Sequence, residues 1–543
     1  MTNITLNRKE LEKHFKIDEQ ILEKISLFGT PLESVSDDEI EIEVFPNRPD
    51  LISMHGFIRG FKAFLGKETG LKEYKLNKPE KNYDVYVESE VKDIRPYTAC
   101  AIIKNLSLSD AKIKEIIDMQ EKLHITIGRN RKKAAIGIYP LEKIKLPITY
   151  TAKKPAEIKF QPLESQKELT GKQILERHPT GKKYSYLLKN SKKFPVFIDS
   201  NKKILSMPPV INSHETGKIT EQTKDVFIEC SGSDLNTLKK TLNIIAVSLA
   251  DMGGEIYQMR ILDKQKITTP DLSTEKMKIS LNNINKLLGL NLKEKDLQKL
   301  LPKMGYNYKN SVVEIPAWRT DILHEVDIIE DVAIAYGYDN IIPEIPKVST
   351  IAEESKESKI SSKISEILTG INSTEISSYH LIKQDEVKLM KLKETIELES
   401  SKTDYKILRP NLLIPALRIL SENIDVEYPQ KIFEVGRVFS KDSSKETGIK
   451  EMDNLILAIT PANFTEAKQN LDYLMRMLNI KYKIEETTHH PLIEGRAGKI
   501  ILADKNIQIG YIGEVHPISL KDWGLKMPVA VFEISLDEIY NLL

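Results

Sequence analysis

The sequence predicts a multidomain α+β protein, and three observations predict it. A chain of 543 residues is too long for a single hydrophobic core. Its 40% hydrophobic and 29% charged residues describe a globular rather than a disordered chain. Segments of strand periodicity and segments of helical periodicity both occur along its whole length. No repeat with a period of 20 to 50 residues and no run of 18 apolar residues interrupts this pattern. The N-terminus, MTNITLNRKELEKHF, carries no apolar signal region, and a formal net charge of +1 confines any nucleic-acid surface to a local patch. The two cysteines, Cys100 and Cys230, fit a reducing compartment and exclude a disulfide scaffold. A cytoplasmic protein with no membrane segment is expected.

Composition shifts divide the chain into 1–83, 84–267, 268–345 and 346–543. The first unit ends in the polar YKLNKPEKNYD. In the second, YTACAII, AAIGIY and FPVFID read as strands and DAKIKEIIDMQEKLH as a helix. DLNTLKKTLNIIAVSLADMG is a long helix with Asp234 as N-cap and Gly253 near its end. In the third, ISLNNINKLLGL gives a strand and short helix, KEKDLQKLLPKMGY a helix, and YNYKNSVVEIPAW a hairpin. Two helices and a small hairpin are the parts of a winged helix-turn-helix module, although many small α+β domains share them. The partly helical linker STIAEESKESKISSKIS opens the fourth unit. There EISSYHLI, KIFEVGRVFS, NLILAIT and VAVFEISL read as strands of an antiparallel-rich domain.

RTDILHEVDIIEDVAIAYGY (319–338) holds Asp321, Glu325, Asp327, Glu330 and Asp331. No lysine or arginine follows Arg319 until Lys347, a 27-residue gap that would hold about four at the chain's average density. On a helix starting near Glu325, Asp327, Glu330 and Asp331 share one face, and Ile328, Ile329, Val332 and Tyr336 face the core. Two readings stay open: a solvated acidic face helped by the helix dipole, or carboxylates whose repulsion a hard cation such as Mg²⁺ relieves. Four carboxylates exceed one tight Mg²⁺ shell, so some would act through water or a partner would complete the site.

Phosphate-loop, dinucleotide-fingerprint, H-E-x-x-H and G-x-S-x-G patterns do not occur. His489-His490 before Pro491 reads as loop histidines. FPNRPDL brackets Asn47 and Arg48 between prolines, as a rigid turn or a docking or RNA-contact loop. GRNRKK (128–133) is a phosphate-contacting or simply solvated basic run.

Five phrases, in order and spanning most of the chain, resemble the phenylalanine–tRNA ligase (phenylalanyl-tRNA synthetase) β-subunit family in its archaeal/eukaryotic form. They are EVFPNRPDLISMHGFIRGFKAFLG (43–66), QEKLHITIGRNRKKAAIGIYPLEKI (120–144), LSMPPVINSHETGKITEQTKDVFIECSG (205–232), IPAWRTDILHEVDIIEDVAIAYGYDNIIP (315–343) and RPNLLIPALRILSENI with KIFEVGRVFS (409–440). The resemblance implies an α2β2 heterotetramer whose α subunit holds the synthetic site for ATP, phenylalanine and the tRNA 3′ end. It places Mg²⁺ ligands, shared with the α subunit, on Asp321, Asp327, Glu330 and Asp331. The implied architecture is an N-terminal domain, an editing-type α/β domain, a small winged helix-turn-helix-like metal-bearing domain and a degenerate class II synthetase-like antiparallel-sheet core.

Editing would hydrolyse tyrosine wrongly attached to the tRNA. An apolar pocket rejects one added hydroxyl only about a hundredfold, so a second site has work to do. Asn212, Ser213 and Glu229 are the candidates, beside the alternative of two turn residues and a solvated strand residue. In the fourth unit, IGYIGEVHPISLKDWGL has Gly510 and Gly513 but no arginine, and none occurs after Arg496. Without that nucleotide clamp the core is expected to be catalytically silent, and Arg437 to form a structural ion pair. The bacterial-type oligonucleotide-fold insertion and C-terminal anticodon-binding domain are expected to have no counterpart, which would leave anticodon recognition to the partner or to another surface. The competing functions are a Mg²⁺-dependent RNA-processing hydrolase and a non-catalytic tRNA-binding scaffold.

Overall fold

The computed structural model describes residues 2–263, 266–346 and 351–543, in two compact units, Met1–Ile345 and Pro346–Leu543. Together they are multidomain α+β. Linker positions 347–350 lie outside the described residues.

The first unit begins with a three-stranded antiparallel sheet, Glu39–Val44 between Thr2–Asn7 and Leu32–Val35. The Met54–Phe64 helix packs on it through Phe57 and Phe61, which stack on each other and meet Phe28 and Phe15 edge to face. Next comes a mixed eleven-stranded sheet. Its helix-covered end runs Glu255–Leu262, Tyr97–Lys104, Val226–Gly232 and Ala134–Pro140, all antiparallel neighbours. The Leu235–Asp251 helix is buried along most of its length, and Asp234 caps it by accepting from Thr237 N. Its apolar circumference marks it as an interior helix. The Asp110–Ile125 helix follows the predicted span closely.

Three helices, Leu281–Leu288, Glu294–Lys303 and Glu325–Tyr336, then surround a small sheet of Glu275–Lys278, Val312–Ile315 and Asn307–Lys309. The strand read from ISL falls just upstream, because the Ser280 side chain accepts from Asn283 N and starts the helix there. One apolar core draws residues from Ile4 to Ala335, beside two smaller cores around Tyr150 and around Ile174.

The second unit is built on a seven-stranded sheet, antiparallel except where Thr374–Glu375 pairs with Gln430–Lys441. Alternation along Ile449–Thr460 divides it between two cores. Leu455, Leu457 and Ile459 face one, with the Lys356–Thr369 and Phe464–Met477 helices. Ile456 and Ala458 face the other, with the Leu413–Glu422 helix. The segment EISSYHLI is not one strand. It splits into Thr374–Glu375 and Leu381–Lys383, in different sheets, because Ser378 between them donates from its N and Oγ to Glu434.

A cavity and a buried carboxyl in the first unit

Sequence-adjacent strands and helices enclose a cavity of about 540 Å³ in the first unit. One wall is the Asp110–Ile125 helix, with Ile113, Ile116 and His124. The floor is the Ala134–Pro140 strand, and the Pro208–Asn212 turn closes the far side. The Glu229 side chain enters from the neighbouring strand, where it pairs in register with Gly137.

That glycine is required by close approach. A Cβ there would lie 2.2 Å from Tyr139 Oη and 2.6 Å from Glu229 Oε1. The space it leaves lets Tyr139 Oη stand 3.1 Å from Glu229 Oε1 and 3.2 Å from Asn212 Oδ1. Glu229 is 2% exposed, so it is not a solvated strand residue. Burial, only partly opposed by the Tyr139 hydrogen bond and the Arg95 charge, pushes its carboxyl up to about 8. It is therefore largely protonated at neutral pH. One phenolic proton cannot serve two acceptors. A neutral Glu229 resolves this by donating to Tyr139 while Tyr139 donates to Asn212. Its other oxygen, Oε2, is buried with no hydrogen-bond partner, and an unsatisfied buried acceptor is costly.

His124 is not a free base. Its Nε2 accepts from Ile136 N at 2.8 Å, which puts the proton on Nδ1, 3.1 Å from Glu121 Oε1. Burial depresses its pKa despite that contact. Glu121 is raised by burial but more strongly lowered by His124 and Arg131, to about 2, so it stays ionised. Arg131 ties Glu121 (2.8 Å) to the carbonyl of Val210 (2.9 Å), bracing two walls.

Of the three editing candidates, Asn212 and Glu229 meet at Tyr139. Ser213 is buried nearby but does not line the cavity; its N donates to Leu205 O and its residue precedes the short His214–Gly217 helix. Sequence reading missed Tyr139, Gly137, His124 and Glu121, and took Arg131 only as part of the basic run GRNRKK. The one available signal was the glycine interrupting the apolar strand AAIGIY, two residues before a tyrosine.

The acidic helix differs from expectation in one premise: Asp321 and Asp331 do have a counter-charge. Arg319 donates from Nε (2.8 Å) and Nη2 (2.7 Å) to Asp321 and from Nη2 (2.7 Å) to Asp331, which also accepts from Tyr306 Oη. Asp331 is 4% exposed and belongs to the interior. Asp327 Oδ2 accepts from Leu323 N and His324 N, both 2.7 Å, and caps the helix. Glu325 accepts from Ser280 N and Asn283 Nδ2, whereas Glu330 is exposed. Hard carboxylate oxygens suit Mg²⁺. Arg319 and the cap occupy three of the four residues, however. Among the described residues no group of three or more His, Cys, Asp or Glu is placed to hold an ion. The four carboxylates do not by themselves fit a cation. FPNRPDL repeats the same R-x-D clamp: Arg48 donates to Asp50 through two 2.9 Å bonds, with little of either side chain exposed, so the turn is structural.

In the second unit the buried acids are saturated. Glu434 accepts from Ser378 and from Arg409 at 2.8 Å. Glu533 accepts from Leu412 N (3.0 Å), Asn454 Nδ2 (2.7 Å) and Tyr511 Oη (2.7 Å). Arg437 pairs with Asp453 and Glu451 at the surface. His489 stacks on Tyr511 at 3.9 Å.

Family models match most of the chain: a B3/4 domain over residues 86–248, a tRNA synthetase B5 domain over 277–338, and a phenylalanyl tRNA synthetase beta chain CLM domain over 341–536. The class is thus a subunit of an aminoacyl-tRNA synthetase. The phenylalanine–tRNA ligase beta subunit of Thermococcus sibiricus is 40% identical over 506 residues, covering 91% of this chain and 90% of that protein. The one from Methanococcus aeolicus is 37% identical, covering 99% and 100%. A crystal structure of an N-terminal fragment of the Pyrococcus horikoshii phenylalanyl-tRNA synthetase beta subunit superposes with a TM-score of 0.59 at 38% identity, over 62% of this chain and 99% of that one. The chain belongs to the phenylalanine–tRNA ligase β-subunit family.

Proposed function

We propose that the chain works in the cytoplasm as the β subunit of an α2β2 phenylalanine–tRNA ligase, and that its first-unit cavity hydrolyses tyrosine wrongly attached to the tRNA. The α subunit then holds the ATP-dependent synthetic site, and the Pro346–Leu543 unit is a silent class II-like core. The internal saturation of Glu434 and Glu533 supports that last reading, since it leaves these acids no free oxygen for a substrate. The modules preceding it are read as an N-terminal domain, an editing domain and a winged, metal-bearing domain.

The observation that carries the editing reading is the buried Glu229 carboxyl that lines the cavity, with one oxygen, Oε2, lacking a partner. A tyrosyl group donates its phenolic proton to that oxygen; a phenylalanyl group cannot, and leaves it unsatisfied. Sites built to bond a hydroxyl discriminate strongly against the analogue lacking it. Asn212 and Tyr139 hold Glu229 in place. In the hydrolysis, water adds its hydroxyl to the ester carbonyl carbon, and its remaining proton goes to the departing ribose oxygen.

A Mg²⁺ ion with Asp321, Asp327, Glu330 and Asp331 as ligands, completed by the α subunit, is a separate proposal. It requires Arg319 to release Asp321 and Asp331 on assembly. Its test is Glu330→Gln with Asp331→Asn: the variant is expected to loosen the α–β complex or its Mg²⁺ dependence, and an unchanged complex at low Mg²⁺ contradicts it. The function as a whole is tested by measuring phenylalanylation with and without the α subunit. Activity only in the complex is expected; full activity of the lone chain contradicts the silent core.

A further inference from the structure

Two segments flank the cavity, the GRNRKK run and a second one that the sequence did not single out. On one side, Arg129, Asn130 and Arg131 are three successive non-glycine residues with left-handed φ of 47°, 53° and 66°. Such a run is strained and persists only where the surroundings impose it. Arg131 N donates to His124 O (3.0 Å) and Lys133 N to Gly128 O (2.8 Å), pinning the loop at both ends. On the other side lie the Pro179–Tyr184 helix and the turn Ser185–Leu187. The two are locked together: the Arg131 guanidinium lies 4.3 Å from the Tyr184 ring centre, and Tyr186 Oη donates to Asn130 O at 3.4 Å.

This arrangement leaves an aromatic ring among unpaired cations. Tyr186 is 56% exposed. Arg129, Lys132, Lys182 and Lys183 are exposed too, and none of the ion pairs among the described residues engages them; Glu121, the nearby acid on the cavity wall, is already held by Arg131. Lys183, Arg131 and Tyr184 also line the cavity, so the cationic surface continues into it. Backbone phosphates meet cations and successive bases stack on exposed rings; that combination fits a single strand, because a duplex hides its base faces.

We propose that this rim, Arg129–Lys133 facing Lys182–Tyr186, is the landing surface for a single-stranded RNA 3′ end, with Tyr186 stacking a base and Arg129, Lys132, Lys182 and Lys183 meeting phosphates. It rests on reading the cavity as a site for esters at an RNA 3′ end, and names the surface that delivers them. Arg131 is a positioning residue here, since its guanidinium is committed to Glu121 and Val210.

The test titrates the full chain with a 5′-labelled single-stranded RNA hexamer ending in CCA, read by fluorescence anisotropy. Tyr186→Ala is expected to weaken binding at least about fivefold, and Tyr186→Phe, which keeps the ring, to bind like the parent. Lys182→Ala with Lys183→Ala is expected to reduce the slope of log K against log salt by about 1.4. Unchanged affinity in Tyr186→Ala and an unchanged slope in the lysine variant overturn the proposal; equal losses in Tyr186→Phe and Tyr186→Ala overturn the stacking role. A second arm follows hydrolysis of tyrosyl-tRNA and of tyrosyl-adenosine by the α–β complex. Tyr186→Ala should slow the first about tenfold through KM and leave the second unchanged. RNA binding lost in the variants, with no hydrolysis of either ester by the parent, removes the editing reading and keeps the surface. Hydrolysis of both esters with RNA binding unchanged by the variants does the reverse.

Discussion

Glu229 in the first unit and Glu434 and Glu533 in the second are buried glutamates on strands of central sheets. Their surroundings differ in one respect. Glu434 and Glu533 meet a donor at each oxygen, from Ser378, Arg409, Leu412, Asn454 and Tyr511, within a closed core. Glu229 has one oxygen bonded and one bare, beside a cavity of about 540 Å³. A buried acid tells little about function by itself. What tells is whether its hydrogen-bonding capacity is spent inside the fold or held open for something that enters.

The largest expected effect is in the second unit. Arg409→Met removes the cation from a fully buried pair and leaves Glu434 uncompensated, which should cost about 3–5 kcal/mol in denaturant unfolding of that unit. A tolerated substitution would mean that the saturated network is not structural. In the first unit the sign reverses. Glu229 is raised from 4.5 to about 8, so its contribution is fully present below pH 4.5 and lost as pH rises through about 8. Glu229→Gln should therefore be more stable than the parent at pH 8 by about 2–4 kcal/mol, with little difference at pH 4. Thermal melts across that window check it; parallel curves would mean that Glu229 is ionised.

Arg319→Lys tests the junction of the acidic helix. An ammonium cannot reproduce the two-pronged bond to Asp321 while also reaching Asp331, and a loss of about 1–3 kcal/mol is expected in the same melts. No loss would show that Arg319 is free to release them for a cation. The smallest effect is Arg437→Ala, whose partners are solvent-screened: below about 1 kcal/mol, and less in high salt.

These contrasts also mark what was legible in the sequence. Element types came through wherever periodicity was sustained, as in the Asp110–Ile125, Leu235–Asp251 and Glu325–Tyr336 helices. Asn212 and Glu229 were legible through family resemblance, not through chemistry visible in the string. Tyr139, and the bracing role of Arg131, were not legible, because what matters about them is a contact made across strands or between loops. The acidic helix misled for the same reason. Arg319 stands 12 positions before Asp331, and only the turn between them brings the charges together. Linear spacing shows which side chains share a face, but not which neighbour neutralises them.

The most direct measurement is the deacylation of tyrosyl-tRNA by the α–β complex, comparing the parent with Glu229→Ala. The parent should release tyrosine much faster than phenylalanine. The variant should lose at least about tenfold of the tyrosine rate, one hydrogen bond to a buried partner, with phenylalanylation unchanged. A parent that leaves tyrosyl-tRNA intact, or a variant that hydrolyses it as fast, would contradict the account.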